Sequence, residues 1–270
     1  MRAALRSFWL VFRFLSIHSS VGLNSCGGVL SFNALMKSPS FIFFDLGQTL
    51  IDEWDYIAYF DQKFLELVNG FGARIDERNY HAIRDSIIRD RKIGHGSIKE
   101  LVIEVCKLLS PPGYEKVIAS RLEPHIRQGR RDLFKFFDDA ESTLQALSKY
   151  CKMGIIANQS EDVAELMQKA GFGKFFKVQT ISSSVKLKKP DSRIFELTLK
   201  EAGQSAEECI MVGDRLDTDI CPANTIGMTT IRTTNSLFAL QIPRRACEYP
   251  TYTVAHLSEI PQLLESIIIS

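Results

Sequence analysis

The chain has 270 residues, with 33 lysines and arginines against 32 aspartates and glutamates, and 45% of it is apolar. That length holds one large domain or a core with an insert. The balanced charge supplies no basic surface for nucleic acid, and the apolar fraction is that of an ordinary globular protein.

Cysteines stand at 26, 106, 151, 209, 221 and 247, with no CxxC pair. This is the usage of a reducing compartment, and it argues against a disulfide framework or a structural zinc. The first 44 residues hold no acid; Arg2, Arg6 and Arg13 are spread among apolar residues and serines. Arg13 interrupts an apolar run that is already too short for a membrane span. The composition is that of an organellar transit peptide, which would direct the chain to a mitochondrion or plastid. Met36 offers a second reading, in which residues 1–35 are a mis-called upstream start and the chain is cytoplasmic. On either reading residues 1–38 are excluded from the fold.

In chain order, Phe41, Ile42, Phe43 and Phe44 form an apolar strand that runs into Asp45, with Gly47 and Thr49 after it. An ionised carboxylate there is costly unless it is paired or binds a metal, so Asp45 is a cap or a working group. Residues 56–131 read as helices. One stripe is Ile57, Phe60, Phe64, Leu67, Val68 and Phe71; a second is Ile98, Leu101, Val102, Val105 and Leu108; a third is Val117, Ile118, Leu122 and Ile126. Asp90 to Gly96 is a polar loop carrying His95, and Pro111, Pro112 and Gly113 separate the last two helices.

From about residue 132 helices and strands alternate. A helix holds Ala140, Leu144 and Leu147, and a strand follows at Met153 to Ala157. Ser160 caps the next helix and Gly171 stops it. Strands are predicted at Phe176 to Ile181, Cys209 to Val212 and Thr229 to Thr233, with an edge strand at Val254. Asp191 caps a helix that ends at Gly203. This alternation predicts an α/β fold: a doubly wound parallel, Rossmann-like sheet covered on both faces. The strand at 41 must join that sheet, so residues 56–131 are a helical insertion, and residues 39–55 with 132–270 are the core.

Ligands of such sheets bind beyond the carboxyl ends of the strands. There lie Asp45; Ala157 and Asn158; Lys186, Lys188 and Lys189; and Asp214, Asp217 and Asp219. Carboxylates from two strands beside a lysine suit a hard cation and an anionic substrate.

These residues carry a resemblance. Asp45, Gly47 and Thr49; Asn158; Lys189 before Pro190; and Gly213, Asp214 and Asp219 match, in order, the motifs of the haloacid dehalogenase-like hydrolase superfamily, over about residues 39–235. The helical insertion stands where that family carries its C1 cap. The resemblance implies an Mg²⁺-dependent phosphatase of a small phosphorylated metabolite. In it Asp45 is the nucleophile and forms an aspartyl-phosphate. Lys189 offsets the repulsion between carboxylate and phosphate. Asp45, the Gly47 carbonyl, Asp214 and Asp219 hold Mg²⁺, with Asp217 an outer helper, and Ala157, Asn158 and Lys189 bind phosphate.

Two positions depart from the pattern. Gly47 stands where the family's phosphatases carry a general acid, a group worth about 10²–10⁴-fold in rate. Ala157 stands where a hydroxyl usually contacts phosphate. Asp52 and His95 are candidates for a substitute acid, although Asp52 also suits a helix start and His95 a surface loop. Lys186 and Lys188 read as solvated loop charges, and Arg215 as an ion-pair partner. Two alternatives stay open: a haloacid dehalogenase, and a weakened relative that binds phosphate without turnover.

Overall fold

The computed structural model describes residues 39–96 and 98–269, so the leader expected over residues 1–38 lies outside the described residues. The first strand, β1 (Phe41–Phe44), is buried along its whole length. A strand with apolar residues on both faces belongs in the middle of a parallel sheet. After it come β2 (Ile51–Asp52), α1 (Trp54–Gly70), α2 (Glu77–Arg89), α3 (Ile98–Leu109), α4 (Glu115–Leu133) and β3 (Lys135–Phe136). The alternating part then runs α5 (Ala140–Leu147), β4 (Lys152–Ala157), α6 (Glu161–Lys169), β5 (Phe176–Ile181), α7 (Ser182–Val185), α8 (Ser192–Ala202), β6 (Cys209–Gly213), α9 (Cys221–Thr225), β7 (Thr229–Thr233), β8 (Tyr252–Val254) and α10 (Ile260–Ile269).

The main sheet has six strands in the order β5-β4-β1-β6-β7-β8, with every neighbour parallel. β1 is central, paired Phe44↔Ile155 on one side and Phe44↔Val212 on the other. Its side chains alternate between faces as a pleated strand requires. Ile42 and Phe44 join the apolar cluster that includes Leu144, Met167 and Leu264. Phe41 and Phe43 join the cluster with Ile194, Phe195 and Met211. A Cβ on Gly154 would lie 2.8 Å from a ring carbon of Phe43, so the Phe43 ring uses the space that only glycine leaves open. The edge strand expected at Val254 is present as β8.

The helices from α1 to α4 share their own apolar cluster, built on Phe60, Phe64, Tyr80, Val105 and Leu122 and closed from the core side by Leu237 and Phe238. Two stripes differ from expectation: Leu108 is exposed and Leu109 takes its inward position, and Val117 is exposed while Ile118 and Leu122 are buried as expected. α2 carried no predicted stripe. Besides apolar residues it buries Arg84, whose guanidinium pairs with Asp61, and Tyr80, whose hydroxyl donates to Asp61 at 2.5 Å. Asp76 caps α2 by accepting from the Asn79 N–H.

β2 and β3 form a two-stranded antiparallel ribbon, Ile51↔Phe136 and Asp52↔Lys135, where the chain leaves the core and returns to it. The sequence offered no sign of this ribbon or of α10. One cysteine expectation is corrected: Cys221 and Cys247 form a disulfide, while Cys106, Cys151 and Cys209 are free thiols. The two partners are 26 residues apart. The fold brings them together by packing the loop after β7 against α9, which no local spacing pattern announces.

Candidate active site

Asp45 follows β1, its N–H donating to the Val212 carbonyl of β6 at 2.9 Å. This continues the ladder one residue past the strand and aims the carboxylate beyond the sheet edge. Lys189 arrives from the loop between α7 and α8, fully buried. Its Nζ donates to Asp45 Oδ1 and to Asp219 Oδ1, both at 2.6 Å. The Asn158 side chain clamps the backbone of Lys189. Its Nδ2 donates to the Lys189 carbonyl at 2.8 Å, and its Oδ1 accepts from the Lys189 N–H at 2.7 Å. Asn158 thus positions the lysine.

Asp214 and Asp219 come from the segment after β6. The chain makes one wide π-helical turn at Leu216–Ile220, in which the Arg215 carbonyl accepts from both Asp219 N–H and Ile220 N–H at 3.1 Å. That turn brings Asp219 back over β6, where its Oδ2 accepts from the Arg215 N–H at 3.0 Å. A Cβ on Gly213 would lie 2.5 Å from the Asp219 Cβ, so this close return needs glycine. Oxygens of Asp45, Asp214 and Asp219 all lie within 4.8 Å of one another.

Three buried carboxylates face one ammonium. Burial pushes the Asp45 carboxyl up to about 6, against the pull of Lys189 and with help from Asp219. Burial, then the neighbouring Asp219 and Asp45, hold Asp214 well above the ordinary carboxylate range. Burial would discharge Lys189, but Asp219 and Asp45 outweigh it and raise its pKa. The cluster carries surplus negative charge in a desolvated place, and its donors are all oxygen. It fits a hard divalent cation such as Mg²⁺.

These groups open into a cavity of about 620 Å³ between the sheet edge and the helices above it. Gly47, Asn158, Lys186 and Lys188 lie on its wall, as does His95, whose Nδ1 is 3.5 Å from Asp217 Oδ2. Arg130 of α4 enters from above and donates to Ser160 Oγ at 2.9 Å. Tyr56, Ile126, Phe134 and Phe238 make the apolar part of the wall. Ala157 is fully buried at the end of β4 and does not line the cavity. Asp217 is also behind the wall, held by Arg215 Nε at 3.1 Å and by Gln241 Nε2 at 3.1 Å. Burial opposes its ionisation, but Arg215 outweighs burial and lowers its pKa. Arg215 also donates to the Gly96 carbonyl at 2.6 Å and the Gly94 carbonyl at 3.2 Å, fastening the loop that carries His95.

Asp52 does not reach the cavity. Its Oδ1 accepts from the Trp54 N–H at 2.9 Å at the start of α1, and Lys135 lies 3.7 Å away. The next residue does reach it. Glu53 is buried and lines the cavity beside Asp45 and Gly47. Burial, then the charge of Asp45, push its carboxyl up to about 8 against the pull of Arg130. Sequence reasoning passed over Glu53. The sign was its place two residues after inward-facing Ile51, on the same side of the chain.

The profile of the haloacid dehalogenase-like hydrolases matches residues 42–233. A glyceraldehyde 3-phosphate phosphatase of Methanocaldococcus jannaschii is 27% identical over 229 residues, 84% of this chain and 97% of that protein. The pyrimidine 5'-nucleotidase YjjG of Escherichia coli is 27% identical over 83% of this chain and 96% of its own. Among solved structures, the HAD-hydrolase YfnB of Bacillus subtilis bound to magnesium superposes with a TM-score of 0.61 at 20% identity, covering 84% of this chain and 99% of that one.

Proposed function

This chain belongs to the haloacid dehalogenase-like hydrolases, and from that premise we propose that it is a magnesium-dependent phosphatase of small phosphorylated metabolites, with Asp45 as its nucleophile. The observation that carries this reading is the buried set of Asp45, Asp214 and Asp219 around the Lys189 ammonium. Relatives named as a glyceraldehyde 3-phosphate phosphatase and a pyrimidine 5'-nucleotidase support the same class of substrate, a small phosphate monoester. A cavity of about 620 Å³ roofed by helices suits such a molecule better than a phosphoprotein.

In this reading one oxygen of Asp45 attacks phosphorus, and the leaving alkoxide departs from the opposite side. The aspartyl-phosphate is then opened by water, which divides one difficult displacement into two easier ones. Lys189 bonds Asp45 Oδ1, which leaves Oδ2 to attack, and its charge offsets the repulsion between carboxylate and phosphate. Asn158 holds Lys189 in place through the main chain. Asp45, Asp214 and Asp219 would hold Mg²⁺, which supplies positive charge to the phosphoryl oxygens. The helical roof keeps bulk water from the acyl phosphate.

The test is phosphate release from a panel of small phosphate esters. Release is expected with Mg²⁺, is expected to stop in chelator, and is expected to fall to background in Asp45→Asn. Full activity of Asp45→Asn would sink the reading. The dehalogenase alternative finds no use for two buried acids after β6; chloride release from a 2-haloacid in chelator would revive it.

A further inference from the structure

The site has no carboxyl on residue 47, and the room beside Gly47 is already taken. A Cβ built there would stand 3.1 Å from Glu53 Oε1, 3.7 Å from Glu53 Cδ and 3.0 Å from Gln159 Nε2. The Glu53 carboxyl therefore fills the volume into which a side chain at 47 would grow. It belongs to a residue only 5% exposed, and it faces the same cavity as Asp45 and Lys189.

A second observation concerns what holds it there. Gln48 has φ of +53°, a left-handed conformation that a non-glycine residue seldom adopts. Its side chain is buried and bridges two elements. Gln48 Oε1 accepts from the Leu237 N–H at 2.6 Å, and the Gln48 side chain lies close enough to the Glu53 carboxyl to pull its pKa down against burial. A left-handed residue whose buried amide is pinned to Leu237 beside that carboxyl is placed to orient it. The other acids near the site are engaged elsewhere: Asp52 accepts from the Trp54 N–H at the start of α1, and Asp217 is bound by Arg215 and Gln241 behind the wall. His95 is half exposed and leans toward Asp217.

Resting on the phosphatase reading above, we propose that Glu53 is the proton donor of this site, reaching in from the start of α1 to the place that an acid on residue 47 would occupy. In the first step the Asp45 oxygen–phosphorus bond forms and the ester oxygen–phosphorus bond breaks, and Glu53 gives its proton to the departing oxygen, which leaves as the alcohol. In the second step the Glu53 carboxylate takes a proton from water as the water oxygen bonds to phosphorus. Asp45 leaves as its carboxylate, inorganic phosphate is released, and Glu53 is again protonated. Gln48 and Gly47 share in this arrangement: one aims the carboxyl and the other leaves room for it.

The test compares wild type, Glu53→Gln and Gly47→Asp/Glu53→Ala in the full chain with Mg²⁺. The probes are phenyl phosphate, a poor leaving group, and p-nitrophenyl phosphate, a good one. Glu53→Gln is expected to lose about 10²–10⁴-fold in kcat on phenyl phosphate. On p-nitrophenyl phosphate it is expected to release a burst of about one nitrophenol per enzyme, with phosphate trapped on Asp45 and seen by mass spectrometry. A structural role alone would give neither the leaving-group dependence nor the trapped phosphate. Moving the carboxyl in Gly47→Asp/Glu53→Ala is expected to restore at least tenfold of the loss. Glu53→Gln within twofold of wild type on both probes overturns the proposal and leaves the phosphatase reading standing. A wild type that releases no phosphate from either probe or from the ester panel overturns both.

Discussion

The amide of Asn158 and the ammonium of Lys189 form one unit, because the first fixes the main chain from which the second extends. Asn158→Ala removes both amide bonds from the buried backbone of Lys189. It is expected to cost about 1–3 kcal/mol of stability, read from denaturant midpoints. Turnover is expected to fall about tenfold as Lys189 loses its placement, a loss equivalent to about 1.4 kcal/mol at the transition state. Much at this scale was legible. Asp45 and Asp214 directly follow strands, and Lys189 and Asp219 lie in the segments that come after β5 and β6, which chain topology sends to one sheet edge. The direction of a side chain was not legible. Nothing local says that the Asn158 amide turns back to Lys189, or that Glu53 turns inward while Asp52 turns out; both are settled by contacts with residues distant in sequence.

Among elements, those with their own punctuation were read correctly. Asp191 caps α8 and Gly203 ends it at φ of +65°, as expected from Asp and Gly at those places. Within the helical stretch α2 showed no clear apolar stripe, because its inward face includes Arg84, which becomes compatible with burial only through Asp61 of α1. The contact between helices and core is also polar. Arg91, in the loop after α2, donates to both carboxylate oxygens of Glu248 at 3.0 and 2.9 Å, and Arg244 N–H and Arg245 Nε bond the same carboxylate. Burial raises the pKa of Glu248, but the Arg244 N–H and the Arg91 and Arg245 guanidiniums outweigh burial and lower it. A group depressed in the folded state contributes stability that is full above its unfolded value, about pH 4–5, and is lost as pH falls through the folded value. Glu248→Gln is therefore expected to destabilise the protein at neutral pH and to flatten the decline in stability on the acid side. Thermal unfolding followed from pH 7 to pH 3 checks this.

For the molecule as a whole, the disulfide Cys221–Cys247 is a covalent tie that was not foreseen. It joins α9, two residues past Asp219, to the segment that also supplies Glu248. Closing a loop of 26 residues is worth about 3.5 kcal/mol by chain entropy. Reduction with dithiothreitol, or the pair Cys221→Ser/Cys247→Ser, is expected to lower stability by about that amount in urea titrations. The parallel sheet was legible because strands alternate with helices; its strand order was not, and neither was the ribbon of β2 and β3, since two-residue strands leave no pattern. Both chain crossings between the sheet and the helices run through that ribbon, side by side. The helices are fastened to the core a second time at Gly94–Gly96, whose carbonyls accept from Arg215. Glu53 follows β2 directly, so its carboxyl is anchored at the covalent joint, whereas His95 is held through the hydrogen-bonded loop.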